Sequence, residues 1–357
     1  MSHERMLRAE KELEKEINAL IRKAEILDAQ EDRRYGNGNL GSELPDELRH
    51  KQGRLEKIRQ ARKEMEAETA AAAARQRQEE AEKASAKATA AEESDASAPE
   101  QAELNKKAEA AAAKAVAAGD KAIEAAESAG LEPPDLEPLA SDAMPRRGLA
   151  RKADGTPTAK TQRNLTDSDS HLMQSGGTYL QGYNCQLAVD SDHQVIVAVG
   201  VSNQPPDVEH LEPMLERIAA SAGELPDVMT MDAGYWSDDN AGHCEGLGID
   251  AYIATGRLPH GKPPPPQRGP LPRDADARTR MARKIRSKKG SRIYAQRKAI
   301  VEPVNGQIKE GRGLRRFLLR GLEKVDGEWH LIAATHNLLK LFRYRRSQQQ
   351  LWAAATG

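Results

Sequence analysis

A long stretch that lacks apolar side chains most constrains the fold of this chain. Residues 67–130 consist mainly of Ala, Glu, Lys, Gln and Ser, which favour helix but offer little to bury. Across all 357 residues, 38% are hydrophobic and 3% are aromatic, too little for one core to hold the whole chain. We therefore expect residues 67–130 to form a solvated helix or a flexible linker, with the globular core elsewhere.

The residues before this stretch predict two amphipathic helices. Apolar side chains recur at helical spacing over residues 1–30, and again from near Pro45 onward. The glycine-rich residues 36–39 between them are typical of a turn. This pattern predicts an antiparallel helical hairpin. The hairpin is either a plain spacer or a part that contacts DNA or dimerises.

After Gly176 the sequence changes to that of a mixed α/β domain. Residues 178–189 and 194–201 predict a β-hairpin with its turn at 190–193. Asp207 is expected to be the N-cap of the next helix. The elements expected after that helix are strands at 228–231 and 249–254, a proline-rich loop at 259–272, a basic helix at 279–309 with a break near Gly290, and a last helix at 328–343.

We accordingly expect four segments. They are a helical hairpin (1–80), a low-complexity linker and loop (81–165), an α/β core (166–346) and a tail (347–357).

The net charge of −1 hides a strong asymmetry along the chain. Residues 273–324 contain seventeen Lys or Arg and five Asp or Glu, whereas the acidic excess lies in the first half. A basic segment of this kind indicates a polyanionic partner. The two cysteines, Cys185 and Cys244, form neither a disulfide framework nor a zinc-ligand cluster. No signal peptide or membrane span is predicted, and we expect a cytoplasmic protein with no membrane partner.

Two carboxylates are candidates for chemistry. Asp232 follows a short apolar strand, and sites in open α/β sheets form beyond the strand ends. The alternative is that it starts a turn or caps the next helix. Glu302 is an isolated acid in the basic helix, where it either binds a metal ion or pairs with Lys298 at i,i+4. The side chains of Tyr294, Lys298, Glu302 and Lys309 fall near one helical face.

Several segments together resemble the bacterial insertion-sequence DDE transposases. They include residues 182–190, 232–235, 301–309, 320–322 and 329–341, and in the N-terminal half residues 31–36. The resemblance implies a ribonuclease-H-like mixed sheet with flanking helices, preceded by the helical hairpin and linker. It also implies DNA as substrate, both transposon ends and target, and Mg²⁺ or Mn²⁺ as cofactor. Two such ions would activate the attacking oxygen and stabilise the leaving oxygen.

The resemblance assigns roles to residues of this chain. Asp232 matches the second acid of the triad and Glu302 the third, and both would bind the metal ions. The residues implied to contact DNA phosphates are Tyr294, Arg297 and Lys309, and further candidates of the basic region are Lys298, Arg315 and Arg316. The family usually has an aromatic residue where Asn305 stands.

The family's first Asp lies on the first strand, upstream of the inserted hairpin, and Met1 falls inside that insertion. We therefore expect a sheet without its first strand and a truncated, catalytically impaired transposase. Asp167, Asp169 and Asp190 are not expected to replace the first acid. A separate N-terminal fragment would supply it, and a homo-oligomer is a further possibility. The alternative function is a non-catalytic DNA-binding protein derived from a transposase.

Overall fold

The computed structural model describes residues 1–35, 46–93, 97–137, 140, 142–175, 177–256, 269, 271–272 and 274–356. The predicted turn at 36–39 and most of the predicted proline-rich loop lie outside these residues. The chain forms two compact units. One comprises Met1–Leu139 and Gly148–Ser168, and the other comprises Ala140–Arg147 and Asp169–Gly357.

The first unit begins with helices α1 (His3–Tyr35) and α2 (Asp46–Glu92). Glu10 of α1 pairs with Arg62 of α2, and Glu14 with Arg59, so the residue order reverses and the helices are antiparallel, as the apolar spacing predicted. Their contact buries side chains at helical spacing on both helices. The buried residues include Met6, Leu13, Ile17, Leu48, Leu55, Ile58 and Met65.

Within the predicted stretch 67–130, the described residues are almost entirely helical. Helix α2 continues through residue 80 to Glu92, and α3 (Ala98–Ala129) packs antiparallel along it. The contact uses alanines, whose small side chains allow two helices to approach closely. The buried alanines include Ala74, Ala88, Ala91, Ala115, Ala122 and Ala126. The described residues therefore form the helical alternative, but one face of each helix is buried rather than solvated.

The second unit contains three two-stranded sheets among the described residues. Strands β1 (His171–Ser175) and β2 (Thr178–Gly182) are antiparallel, as are β3 (Asn184–Val189) and β4 (Ile196–Ser202). The predicted hairpin around residues 190–193 is the β3–β4 pair. The predicted strand 178–189 is divided at Tyr183, and its first half pairs with β1, which the sequence analysis did not identify.

A parallel pair follows. Helix α4 (Leu211–Ala222) leads to β5 (Val228–Met231), and α5 (Asp238–Gly246) connects β5 to its parallel neighbour β6 (Asp250–Ile253). The predicted strands at 228–231 and 249–254 are thereby confirmed. Residues of α4, β5 and β6 share one buried cluster with Ala198 of β4.

The basic region forms α6 (Ala277–Arg286) and α7 (Lys288–Gly306), followed by a π-helical turn, Gln307–Gly311. The predicted break lies at Ser287 rather than Gly290, because the Ser287 hydroxyl accepts from the Gly290 amide and caps α7. The last helix, α8 (Leu322–Thr356), is longer than predicted at both ends.

Helix α8 covers strand β4. The Asn337 side chain bonds both the amide and the carbonyl of Ile196, each at 2.8 Å, and Asp326 accepts from the Val201 amide at 3.1 Å. Trp329 packs with Val199 and Val201 in a second buried cluster. These bonds satisfy backbone groups that an edge strand would otherwise leave unpaired. The second unit is thus a mixed α/β fold with helices packed on small sheets.

Candidate active site at the end of strand β5

Asp232 lies at the carboxyl end of β5 and is exposed. Its backbone is extended, and its Oδ1 accepts a hydrogen bond from the Gly234 amide at 2.8 Å. It therefore caps the 3₁₀ turn Ala233–Tyr235, while Ser237 caps the following helix α5. Asp232 therefore does start a turn, as the alternative prediction had it, but this role uses only one of its two carboxylate oxygens. The second oxygen, Oδ2, is left for a bound ligand.

Asp207 does not cap a helix, and that prediction is wrong. Its backbone is helical (φ −85°), so the side chain is not placed over the first amides of the 3₁₀ turn Val208–His210. Its Oδ1 instead accepts from Asn184 Nδ2 at 2.7 Å and from Gln186 Nε2 at 2.8 Å. The carboxylate thus accepts two long-range hydrogen bonds from β3 instead of capping the helix that follows it.

Asp207 and Asp232 meet around Gly234. A Cβ atom added to Gly234 would lie 2.3 Å from Asp207 Oδ2 and 3.1 Å from Asp232 Oδ1. Both carboxylates therefore flank the same backbone atom, and no side chain fits between them. Asp207 is the residue that the sequence analysis missed as a member of this site. The available signal was the pair of amides at Asn184 and Gln186, which lie on one face of β3.

Tyr235 joins the same cluster from the end of the 3₁₀ turn. Its hydroxyl donates to Gln186 Oε1, and the Gln186 side chain is buried. Burial first, and then the negative charges of Asp207 and Asp232, raise the pKa of Tyr235 far above its ordinary value. The hydroxyl is therefore protonated and remains a hydrogen-bond donor.

Glu302 lies on α7, one residue before Pro303, and is exposed. Its carboxylate makes no hydrogen bond or ion pair with any residue that the structure describes, so the alternative pairing with Lys298 is not formed. Helix α7 contacts both β5 and β6. Within the described part of the chain, no three Asp, Glu, His or Cys side chains converge in a group able to hold a metal ion.

The predicted phosphate contacts fall into two sets. Tyr294 and Arg297 are half-buried on α7, with the guanidinium 5.8 Å from the tyrosine ring centre. Lys298 and Lys309 are exposed. Lys309 lies in the π-helical turn rather than on α7, and the wider turn changes the direction of its side chain relative to Glu302. The single α-helical face that we predicted therefore ends before Lys309.

The remaining basic residues are not equivalent. Arg315 pairs with Glu310, and Arg316 is exposed. Arg312 is structural, since it donates to the Ile332 carbonyl at 3.2 Å and to Thr335. Lys284 is also structural, because it pairs with Asp250 at 2.6 Å. A cavity of about 570 Å³ at the start of α7 has a largely basic lining, formed by Lys288, Lys289, Arg292, Ile293 and Gln296.

Two other acids of this unit bond backbone amides and have structural roles. Asp169 Oδ2 accepts from the Leu322 amide, and Asp190 accepts from the His193 amide in the hairpin turn. Burial raises the pKa of the Cys185 thiol to about 12, against the opposing effect of Lys309. Cys185 is therefore a neutral thiol at neutral pH, as expected for an ordinary packing residue.

The comparisons with known proteins give one match. A family model described as the transposase DDE domain matches residues 152–338, more than half of the chain. No curated protein and no solved structure matches. No helix among the described residues has the length and apolarity needed to cross a membrane. The motifs around Asp232 and Glu302 both lie inside the matched range, and this chain belongs to the transposase DDE domain family.

Proposed function

We propose that this chain is a DNA transposase of an insertion sequence, in which Asp232 and Glu302 act as the second and third acids of a DDE triad. The observation that carries the proposal is the position of Asp232. It ends a parallel strand, keeps one carboxylate oxygen free of described protein donors, and is followed by a turn too tight for a side chain at Gly234. Sites of α/β folds form at this end of a strand.

The core is proposed to be ribonuclease-H-like. Among the described residues, β3 pairs only with β4, and β5 pairs only with β6. Gln186 of β3 and Tyr235 after β5 are hydrogen-bonded, so the two strands belong to one site although they do not pair. A further strand between β3 and β5 would join the two sheets and satisfy both open edges. We propose that this strand bears the first acid of the triad.

The residues fit a hard divalent cation in chemistry, because carboxylate oxygens are the donors that Mg²⁺ and Mn²⁺ prefer. Asp232 and Glu302 would hold the ions, which when bound activate the attacking oxygen and stabilise the leaving oxygen of the phosphodiester. Asp207 lies beside Asp232, but its Oδ1 is engaged by Asn184 and Gln186, and no three acids among the described residues form a group able to hold a metal ion. We therefore propose that residues 1–357 by themselves have little strand-transfer activity, and that a separate segment supplies the missing acid.

DNA is the proposed partner, both as transposon end and as target. The exposed cations Lys298, Lys309 and Arg316 are available to phosphates, and the cavity at the start of α7 provides a concave basic surface. Contacts of this kind give affinity that depends on salt and little on sequence. A cytoplasmic location and a homo-oligomeric state are part of the same proposal.

A second candidate is a non-catalytic DNA-binding protein of the same descent. The same exposed cations favour it, since they need no metal site to bind a duplex. The two candidates differ in the role of Asp232. Substitution of Asp232 leaves every function of a pure DNA-binding protein unchanged, whereas it removes a metal ligand from a transposase.

Manganese binding tests the proposed function. Free Mn²⁺ is followed by electron paramagnetic resonance during titration of the protein with and without a mixed-sequence duplex. We expect Asp232→Ala and Glu302→Ala each to weaken binding by at least about tenfold. Asp227→Ala is the matched control, because Asp227 precedes β5 whereas Asp232 follows it. Binding that is equally strong in all four proteins would reject the metal site and leave the DNA-binding candidate.

A further inference from the structure

A chain of hydrogen bonds connects strand β3 to the turn that carries Asp232. Asn184 and Gln186 are two residues apart on β3, and their amide nitrogens converge on one oxygen of Asp207 at 2.7 and 2.8 Å. Gln186 Nε2 also donates to Asn184 Oδ1 at 2.9 Å. The two amides and the carboxylate are therefore fixed relative to one another.

The chain continues from Gln186 into the candidate site. Its Oε1 accepts from the hydroxyl of Tyr235, and its backbone carbonyl accepts from Trp329 Nε1 at 2.9 Å. The side-chain nitrogen, the side-chain oxygen and the backbone carbonyl of Gln186 are therefore all hydrogen-bonded, and the residue is 7% exposed. A buried amide with all of its bonds made has one orientation, because its reversal would leave polar atoms unpaired.

The fixed position of Tyr235 also restrains Asp232, because both residues belong to the same turn. It ends the 3₁₀ turn whose first residue follows Asp232, and Asp232 Oδ1 is held by the Gly234 amide inside the same turn. Asp207 approaches the turn from the other side, with Oδ2 against Gly234. The direction of the Asp232 carboxylate therefore depends on a turn that is fixed by a hydroxyl on one side and a carboxylate on the other.

We propose that Asp207 is a positioning residue that, with Gln186 and Tyr235, fixes the turn 233–235 and thereby the direction of Asp232. The proposal rests on the proposed function, because it is the metal-binding role of Asp232 that positioning would serve. Asp207 itself contacts the amides and the turn, and it acts on a bound ion through Asp232. Partners that orient a metal ligand typically change metal affinity by about 10–100-fold.

The first test measures the turn directly, without metal. Hydrogen–deuterium exchange is followed by mass spectrometry in peptides that cover residues 232–236, in the full chain and in Tyr235→Phe. Loss of one hydrogen bond is expected to speed exchange there by up to about tenfold, with peptides of α1 and α2 unchanged. Tyr252→Phe is the matched control, since its hydroxyl bonds Asp250 on β6 and lies outside the chain of bonds. Exchange that is unchanged in Tyr235→Phe would overturn the proposal.

The second test measures Mn²⁺ affinity in Asp207→Ala and Asp207→Asn. Asp207→Ala removes the oxygen that accepts from both amides, and we expect it to weaken Mn²⁺ binding by about tenfold. Asp207→Asn keeps an oxygen that can accept from both amides and removes only the charge, so we expect it to retain most of the affinity. Equal losses in the two variants would mean that Asp207 acts through its charge and would overturn the positioning role.

The two tests separate this inference from the proposed function. If the unchanged chain binds no Mn²⁺, the metal role of Asp232 fails, while the exchange experiment still decides whether the turn is fixed by Tyr235. If Asp232→Ala abolishes binding but Asp207→Ala and Tyr235→Phe do not change it, the metal site stands and the positioning role is wrong.

Discussion

Asp207 Oδ1 accepts a hydrogen bond from Gln186 Nε2 at 2.8 Å. This bond is part of a chain of hydrogen bonds that runs from β3 to the turn after β5. Among the described residues, these two strands share no backbone pairing. Hydrogen bonds between the side chains of Asp207, Gln186 and Tyr235 therefore hold the end of β5 beside β3, in place of backbone hydrogen bonds between the strands.

Because Asp207 lies so close to Gly234, even an alanine at position 234 is expected to destabilise the fold. Gly234→Ala places a methyl group 2.3 Å from Asp207 Oδ2, so the turn or the carboxylate must move. We expect a loss of about 1–3 kcal/mol in the free energy of unfolding, measured by urea denaturation. Gly242→Ala is the control, because a Cβ there meets nothing within 4 Å and Ala favours helix α5. Equal stability of the two variants would contradict the geometry.

The alanine contact of α2 and α3 predicts that a larger residue is not tolerated there. Ala122 is fully buried, whereas Ala112 on the same helix is exposed. We expect Ala122→Leu to lower the free energy of unfolding by about 1–3 kcal/mol through overpacking, and Ala112→Leu to change it little. Circular dichroism during thermal unfolding compares the two. A flexible linker would give the same melting curve for both variants.

The order of elements in the α/β unit follows largely from the sequence. Short apolar runs give β4, β5 and β6, and helical spacing gives α4 and the centre of α8, because these signals are local. The role of Asp207 was missed for the opposite reason. Its partner Asn184 is 23 residues away, and an Asp before an apolar helix is read locally as a cap.

The alanine-rich helices show another limit of sequence reasoning. Residues 67–130 have few large apolar side chains, so composition predicts exposure. Two helices can nevertheless bury alanines against each other. Composition counts these buried alanines and the exposed alanines alike, so it does not reveal the contact. The sequence also does not reveal how the two proposed metal ligands lie relative to each other, because Asp232 and Glu302 come from separate elements.

Buried histidines predict that the second unit loses stability in acid. His336 is 1% exposed, and burial lowers its pKa from the ordinary value of 6.5, against a hydrogen bond to the Gln194 carbonyl. Burial lowers the pKa of His210 in the same way. A lowered pKa means that the folded protein holds neutral imidazole while the unfolded chain takes up a proton. Stability is therefore present above 6.5 and is lost as the pH falls below it.

The check is urea denaturation at about pH 7.5 and about pH 5.5. We expect the drop in unfolding free energy between the two to be smaller in His336→Gln than in the unchanged chain. His193→Gln is the control, since that side chain is exposed. A drop that is identical in all three proteins would mean that His336 is not neutral in the folded state.

The basic residues predict a difference between arginines proposed to bind DNA and arginines that stabilise the fold. Arg315→Ala/Arg316→Ala removes two exposed cations, and each lost phosphate contact reduces the slope of log affinity against log salt by about 0.9. Arg312→Ala should instead lower stability, because its bonds go to Ile332 and Thr335. Fluorescence anisotropy with a labelled duplex at several salt concentrations gives the slopes. An unchanged slope in the double variant would exclude these residues from the interface.

Iron-mediated cleavage of the backbone maps where a divalent ion binds. Fe²⁺ replaces Mg²⁺ at oxygen ligands, and with ascorbate and peroxide it generates hydroxyl radicals that cut the nearby backbone. We expect cuts beside Asp232 and beside Glu302, both lost in Asp232→Ala and retained in Asp227→Ala. Cuts that are absent from these two segments, or that persist in Asp232→Ala, would contradict a metal site at the end of β5.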